Sequence, residues 1–321
     1  SYSIFFPRNS GREPLQFYLT AALVKLFDLQ LGFTTLKLGM SLAFLVSLYY
    51  VYRLGVEVGT RWTGLLTMLL VGFASWTNIL ARSGMRLVLT PVFVAPVLFY
   101  LLRGLRQSRR NDLLLAGIFL GLGMLGYSAF RIMPLVVLLM IGVFMLYQKR
   151  TERKAGLLPG VGVLLLFSLV AALPLLRFVF QYPELIAMRT ITRMTGAEQA
   201  INGPVLVVFL QNFLNAISMP FWRDGNTWVI SVTGRPALDL VSAALYLMGV
   251  VILVFAWLRQ RDWQYLVLLL SIPILMLPSM LALAFPIENP SLSRAGGAVI
   301  PLVIVAAIAL ESLLASLWQK T

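Results

Sequence analysis

Runs of about twenty apolar residues recur along the chain between short polar or basic breaks, and that length is what one helical crossing of a bilayer requires. They fall at 35–54, 62–80, 87–105, 112–129, 132–148, 156–177, 237–258, 263–285 and 297–317. The pattern predicts an all-α, polytopic transmembrane bundle of about nine spans. Two further stretches are apolar but broken by polar residues. One is 14–29, where Pro14 suits the first turn of a helix and Lys25 and Asp28 oppose deep insertion. The other is Val205 to Phe221, interrupted by Gln211, Asn212 and Asn215. Both read as helices lying along the membrane interface, with a tenth span as the alternative for the first.

If each run crosses once, the breaks alternate between two sides. One side collects Arg53 and Arg61, then Arg103, Arg106, Arg109 and Arg110, then Lys149, Arg150, Arg153 and Lys154, then Arg259 and Arg261, and finally Lys320. Short basic loops mark the cytoplasmic side. The other side receives the segment 1–34, tight turns near Arg82 to Arg86 and Tyr127 to Arg131, a long loop at 178–236, and 286–296. A loop of that length is more than a passive connection, and it reads as a lid or wall. The whole of 1–321 is expected to be one membrane domain with an elaborated external face.

Composition agrees. Of 321 residues, 60% are hydrophobic and 12% charged, too few to cover a soluble domain of this size. The formal charge of +14 is spread over short clusters between apolar runs, which orients membrane helices and argues against a nucleic-acid partner. With no histidine and no cysteine, histidine bases, disulfides and zinc sites built on those ligands are excluded. The chain opens at Ser1 without a basic segment followed by an apolar core, so no signal peptide is read there.

The segment Pro7-Arg8-Asn9-Ser10-Gly11-Arg12-Glu13-Pro14-Leu15-Gln16-Phe17-Tyr18 resembles a stretch in the GT-C glycosyltransferases. In the branch holding protein O-mannosyltransferases and lipid A aminoarabinose transferases, a Lys-Pro-Pro-Leu-Tyr-Tyr-type motif closes the first external loop. Arg12-Glu13-Pro14-Leu15 lies in its place, with Arg for Lys and Glu13 for the first Pro. Further pieces follow in the family's order: Ile79 to Gly84, the glycine-bearing run from Ala116 to Arg131, Phe221 to Asn226 with Gly234 to Asp239, and Ser293-Arg294-Ala295-Gly296. The resemblance implies a GT-C-like fold and a polyprenyl-phosphate sugar donor. It also implies an acidic residue in the first external loop, which would lie upstream of Ser1, so the chain is expected to be incomplete at its N-terminus and its catalytic residue is unknown. A divalent cation is the one cofactor the family analogy raises, although no metal-ligand cluster is read here.

Transfer from a lipid phosphate releases an anion at the bilayer surface, and fixed arginines stabilise it best. Arg82, Arg86, Arg131 and Arg294 are the candidates for binding donor phosphate, each at the external end of a run. The alternative is that they snorkel to headgroups or pair with loop carboxylates. Arg12, Glu13, Tyr127, Trp222 and Asp224 are candidates for an acceptor or sugar site. Against that, Glu13 has Arg12 and Arg8 as pairing partners nearby, Asp224-Gly225-Asn226 is a turn signal, and the aromatics suit an interfacial belt. Gly117, Gly121, Gly123 and Gly126 form a small-residue face best suited to helix packing.

The reading is therefore a membrane glycosyltransferase acting on a glycan, lipid or protein at the extracytoplasmic face of a bacterial inner membrane. Two rivals stand beside it: a transporter or flippase, disfavoured by the scarcity of ionisable residues at mid-membrane depth, and a non-catalytic subunit of a membrane complex that keeps the fold.

Overall fold

The computed structural model describes residues 5–6, 12–148, 157–184, 191–192, 194–195, 197–285 and 288–318. The predicted basic cluster from Lys149 to Lys154, together with Arg8 and Lys320, lies outside them. Among the described residues, twelve α-helices carry the fold: α1 (Leu15–Phe27), α2 (Phe33–Val58), α3 (Arg61–Phe73), α4 (Ser75–Arg82), α5 (Leu89–Gln107) and α6 (Arg110–Met124), then α7 (Met133–Tyr147), α8 (Leu157–Gln181), α9 (Val205–Ser218), α10 (Leu240–Gln260), α11 (Trp263–Met280) and α12 (Val299–Trp318). Three 3-10 turns, Arg86–Val88, Ser128–Ile132 and Gly296–Ala298, run directly into α5, α7 and α12. Among the described residues, the β-structure is one isolated bridge between Phe6 and Arg12.

Among the described residues, seven helices are long and apolar enough to cross a membrane, or up to eight if the bent pair of α3 and α4 is one span. The count of about nine is thus revised at two places. The predicted run 62–80 is broken, with α3 and α4 meeting at 55° around Ala74. No proline causes the bend. Side chains sustain it instead: the Thr77 hydroxyl donates to Val71 O at 2.6 Å and Asn78 Nδ2 to Gly72 O at 2.8 Å, satisfying carbonyls the break has freed. The predicted run 112–129 is the 15-residue α6. At 1.5 Å per residue it extends about 22 Å, short of a hydrocarbon core of about 30 Å.

Burial separates the centre of the bundle from its lipid-facing rim. Of its most apolar window α5 buries 78% and α12 61%, whereas α8 buries 17% and α10 22%. Close approach depends on small residues. A Cβ on Gly117 or Gly121 of α6 would collide with the α8 carbonyls of Leu164 and Ser168, and one on Gly249 of α10 would meet Val305 O of α12. A Cβ on Gly55 would stand 2.7 Å from the Gly64 Cα, so α2 and α3 touch backbone to backbone.

The first short apolar helix is built inside out. α1 buries Gln16 and Thr20 and exposes Leu19, Leu26 and Phe27, and a polar side turned to protein with an apolar side turned out suits lipid surroundings. α9 buries Val208 and Ala216 with Asn212, whose Nδ2 donates to Met280 O at 3.0 Å, and exposes Leu206, Leu210 and Leu214 together with Gln211 and Asn215. The chain is an integral, multi-pass membrane protein.

Opposite ends of the bundle are chemically distinct. At one end Thr60 and Thr63 donate to Glu311, Arg106 pairs with Glu57 at 3.2 Å, Arg103 pairs with Asp112, and Trp257 Nε1 donates to the Tyr147 hydroxyl at 2.7 Å. At the other end stand the start of α1, the three 3-10 turns and residues 288–295.

Candidate functional site

The site is assembled by turns rather than by helix faces. Gly84 adopts φ +69, a left-handed conformation that favours glycine, and reverses the chain after α4. Its carbonyl accepts a hydrogen bond from the Gln16 side chain, which clips α1 to this turn. A second clip is the Leu15 N–H donating to Leu125 O at 3.4 Å, beyond the end of α6. Glu13, two residues before α1, is thereby delivered between the first two 3-10 turns.

That placement makes Glu13 the centre of the site. Its Oε2 accepts from Arg86 Nε at 2.9 Å and its Oε1 lies 3.1 Å from Arg131 Nη2, so each carboxylate oxygen faces one guanidinium. Glu13 and Arg86 are almost wholly buried, with side chains 3% and 6% exposed, while Arg131 is 23% exposed. The Arg86 guanidinium also stands 5.5 Å from the centroid of the buried Tyr127 ring, a cation–π contact. Sequence proximity pointed to Arg12 or Arg8 as partners of Glu13. Arg8 lies outside the described residues, and the partners described come from 73 and 118 residues away, set by the tertiary fold and not by the local chain.

The third turn joins the same end. Trp76, fully buried, donates from Nε1 to Leu292 O at 2.9 Å and fixes residues 288–295 against α4. The turn Gly296–Ala298 then contacts both α5 and the turn Ser128–Ile132. Arg294, just before it, pairs with Glu288. Arg82 is different: it is exposed at the end of α4, and no hydrogen bond or ion pair of its side chain is found among the described residues. Arg12 contributes backbone bonds to Phe6, at 2.8 and 3.0 Å.

Trp222 and Asp224 lie apart from Glu13, in the segment after α9. There a cavity of about 240 Å³ opens between the end of α9, residues 222–226 and Asn289-Pro290. Trp222 is exposed on its rim and Asp224 is buried behind it. Asp224 Oδ2 accepts from the Val232 N–H at 2.8 Å, and the Asp224 N–H donates to Arg235 O at 2.7 Å, so this residue ties the loop together as its turn signal suggested. Burial pushes the Asp224 carboxyl above its ordinary range, with the Val232 bond opposing. Sequence reasoning missed Asn215, Ser218, Arg223 and Asn289 as cavity walls; single polar residues at the edges of apolar runs were their only signal.

The candidate residues thus form two groups at one end of the bundle: Glu13, Arg86, Arg131 and Tyr127, with Arg294 on an adjoining turn, and Trp222 with Asp224 by the cavity. Among the described residues no three Asp, Glu, His or Cys side chains converge, so they offer no ligand set for a divalent cation. The glycine face of α6 also proves to be packing: Gly117 and Gly121 meet α8, and Gly123 meets the Phe130 ring.

Comparison with known proteins gives the architecture its relatives. The archaeal oligosaccharyltransferase AglB of Archaeoglobus fulgidus, in complex with an inhibitory peptide and a dolichol-phosphate, superposes with a TM-score of 0.60 at 14% identity, over 100% of this chain and 45% of that one. The oligosaccharyltransferase of the same organism in its apo form gives 0.57 at 14% identity, over 99% and 45%. The chain therefore shares their fold and spans less than half their length. Among curated proteins nothing matches. Residues 11–177, from the glutamate-bearing segment through α8, match a family of membrane glycosyltransferases, and the chain belongs to the dolichyl-phosphate-mannose-protein mannosyltransferase family.

Proposed function

We propose that this protein transfers a sugar from a polyprenyl-phosphate-type lipid donor to a glycan, lipid or protein acceptor on the extracytoplasmic face of a bacterial inner membrane. The observation that carries this reading is the Glu13 carboxylate held between Arg86 and Arg131 at the turn-bearing end of the bundle. Two guanidiniums already oriented around one carboxylate are oriented for another oxyanion. A donor phosphate arriving there meets the partly exposed Arg131 guanidinium, which Glu13 holds in place, and the charge that grows on it as the glycosidic bond breaks meets a donor already oriented. Arg294 on the adjoining turn and the exposed Arg82 are the further cations within this end. The positive-inside bias of the basic breaks supports this sidedness, and Arg103 and Arg106 of those breaks stand at the opposite end. The dolichol-phosphate bound to AglB agrees with a lipid phosphate as the donor's chemistry.

The test is release of polyprenyl phosphate by the full-length protein in nanodiscs, supplied with polyprenyl-phosphate-linked hexoses or pentoses and an acceptor extract. Arg131→Ala and Arg294→Ala should each slow release by about tenfold or more, since a charge-assisted hydrogen bond is worth about 1.5–3 kcal/mol. Unchanged turnover in both removes them from the site. Movement of intact donor across liposomes without release would instead identify a flippase.

A further inference from the structure

We propose that the cavity between the end of α9 and Asn289-Pro290 binds one ring of a neutral, hydroxyl-rich glycan as the acceptor side of the transfer proposed above, on which this inference rests. Its 240 Å³ equals about eight waters at roughly 30 Å³ each. That admits a single sugar ring and is too small for a drug-sized ligand. The wall carries the amides of Asn215, Asn226 and Asn289, the Ser218 hydroxyl, the Arg223 guanidinium and the Trp222 indole. Amides and hydroxyls present donors and acceptors side by side, as a ring of hydroxyls requires, whereas an anion site needs donors alone.

The back of the wall is fixed. Asn289 donates from Nδ2 to Asn212 O at 3.1 Å and to Ser279 O at 3.0 Å, which fixes the orientation of its amide. Its Oδ1 and Asp224 Oδ1 are buried with almost no accessible surface, so they stand behind the cavity surface. The choice between a hydroxyl-rich ring and an anion therefore rests on the amides and the hydroxyl of the lining. Trp222, 70% exposed on the rim, offers an aromatic face to the apolar side of a ring. The walls are also shaped to close: Gly225 has φ +125, and a Cβ there would lie 2.6 Å from Pro290 O, so glycine alone lets the loop meet the Asn289-Pro290 segment.

Saturation-transfer NMR on the full chain in nanodiscs tests this, with methyl α-mannopyranoside, methyl β-glucopyranoside and maltotriose as probes and inorganic phosphate as the anion arm. Transfer to the ring protons of at least one glycoside is expected. Trp222→Ala and Asn226→Ala, both at exposed positions, should weaken binding by about tenfold, the equivalent of about 1.4 kcal/mol. Absence of transfer from every glycoside, or transfer unchanged in both variants, overturns the proposal. Phosphate broadening that is lost in Arg223→Gln, without glycoside transfer, overturns it in favour of an anion site. Glycoside binding without polyprenyl phosphate release from any donor keeps the cavity and sinks the transferase reading; release without glycoside binding does the reverse.

Discussion

Glu13 shows how one carboxylate organises the site. It is buried between two arginines, and removing it leaves Arg86 charged and enclosed, which costs far more than the pair itself contributes. Glu13→Ala and Arg86→Ala should each destabilise the protein by about 3–5 kcal/mol, the cost of breaking a buried pair, read as a lowered melting temperature in nanodiscs. Arg131→Ala should cost less, because its partly exposed guanidinium keeps access to water. A melting temperature unchanged in Glu13→Ala would mean that the carboxylate does not hold the turns together. Asp224 gives a pH signature. Its carboxyl is raised in the folded loop by desolvation, so the folded state retains a proton where the unfolded chain has lost it. Stability contributed by this group is present below the ordinary aspartate value of about 3.9 and is lost as pH climbs through the raised folded value. Asp224→Asn should flatten that fall, seen as a melting temperature that declines less between pH 4 and neutrality than in the native protein.

Among the elements, the α6 and α8 pair is the most sensitive to volume. Gly117 and Gly121 set its spacing because their missing side chains admit the Leu164 and Ser168 carbonyls. Gly117→Leu or Gly121→Val should destabilise by about 1–3 kcal/mol or more, the usual cost of overpacking, measured by thermal unfolding followed by tryptophan fluorescence. Gly162 on α8 is the control, since nothing stands within 4 Å of a Cβ there. Gly162→Ala should be neutral or stabilising, by up to about 1 kcal/mol from helix propensity. Equal losses in all three variants would show that glycine serves backbone conformation here and not helix approach. The short length of α6 has a related consequence: it ends at Met124, the missing side chain of Gly123 admits the Phe130 ring, and the turn Ser128–Ile132 packs back so that Arg131 reaches Glu13.

For the whole molecule, the two ends make opposite predictions for labelling. The chain has no cysteine, so introduced thiols report without background. In intact cells, Arg106→Cys should be protected from an impermeant maleimide and Asn226→Cys should react. The reverse result would invert the orientation and place the arginine turns in the cytoplasm. Labelling of both positions would contradict the separation of the ends by a membrane.

The sequence by itself determined the membrane class and the helical architecture, because lipid demands long apolar runs with internally satisfied backbone and leaves that demand written in composition. Short motifs in order, from Arg12-Glu13-Pro14-Leu15 to Arg294, also carried the family, later matched over 11–177. Only the tertiary structure decided that α3 and α4 bend at Ala74 and that α6 ends after 15 residues, since side-chain bonds to freed carbonyls and turns between helices leave little trace in hydropathy. It likewise decided that Glu13 belongs to Arg86 and Arg131, and that Asn289 shares a cavity wall with Trp222. Contacts between residues so far apart along the chain are set by how helices pack, which no local pattern records.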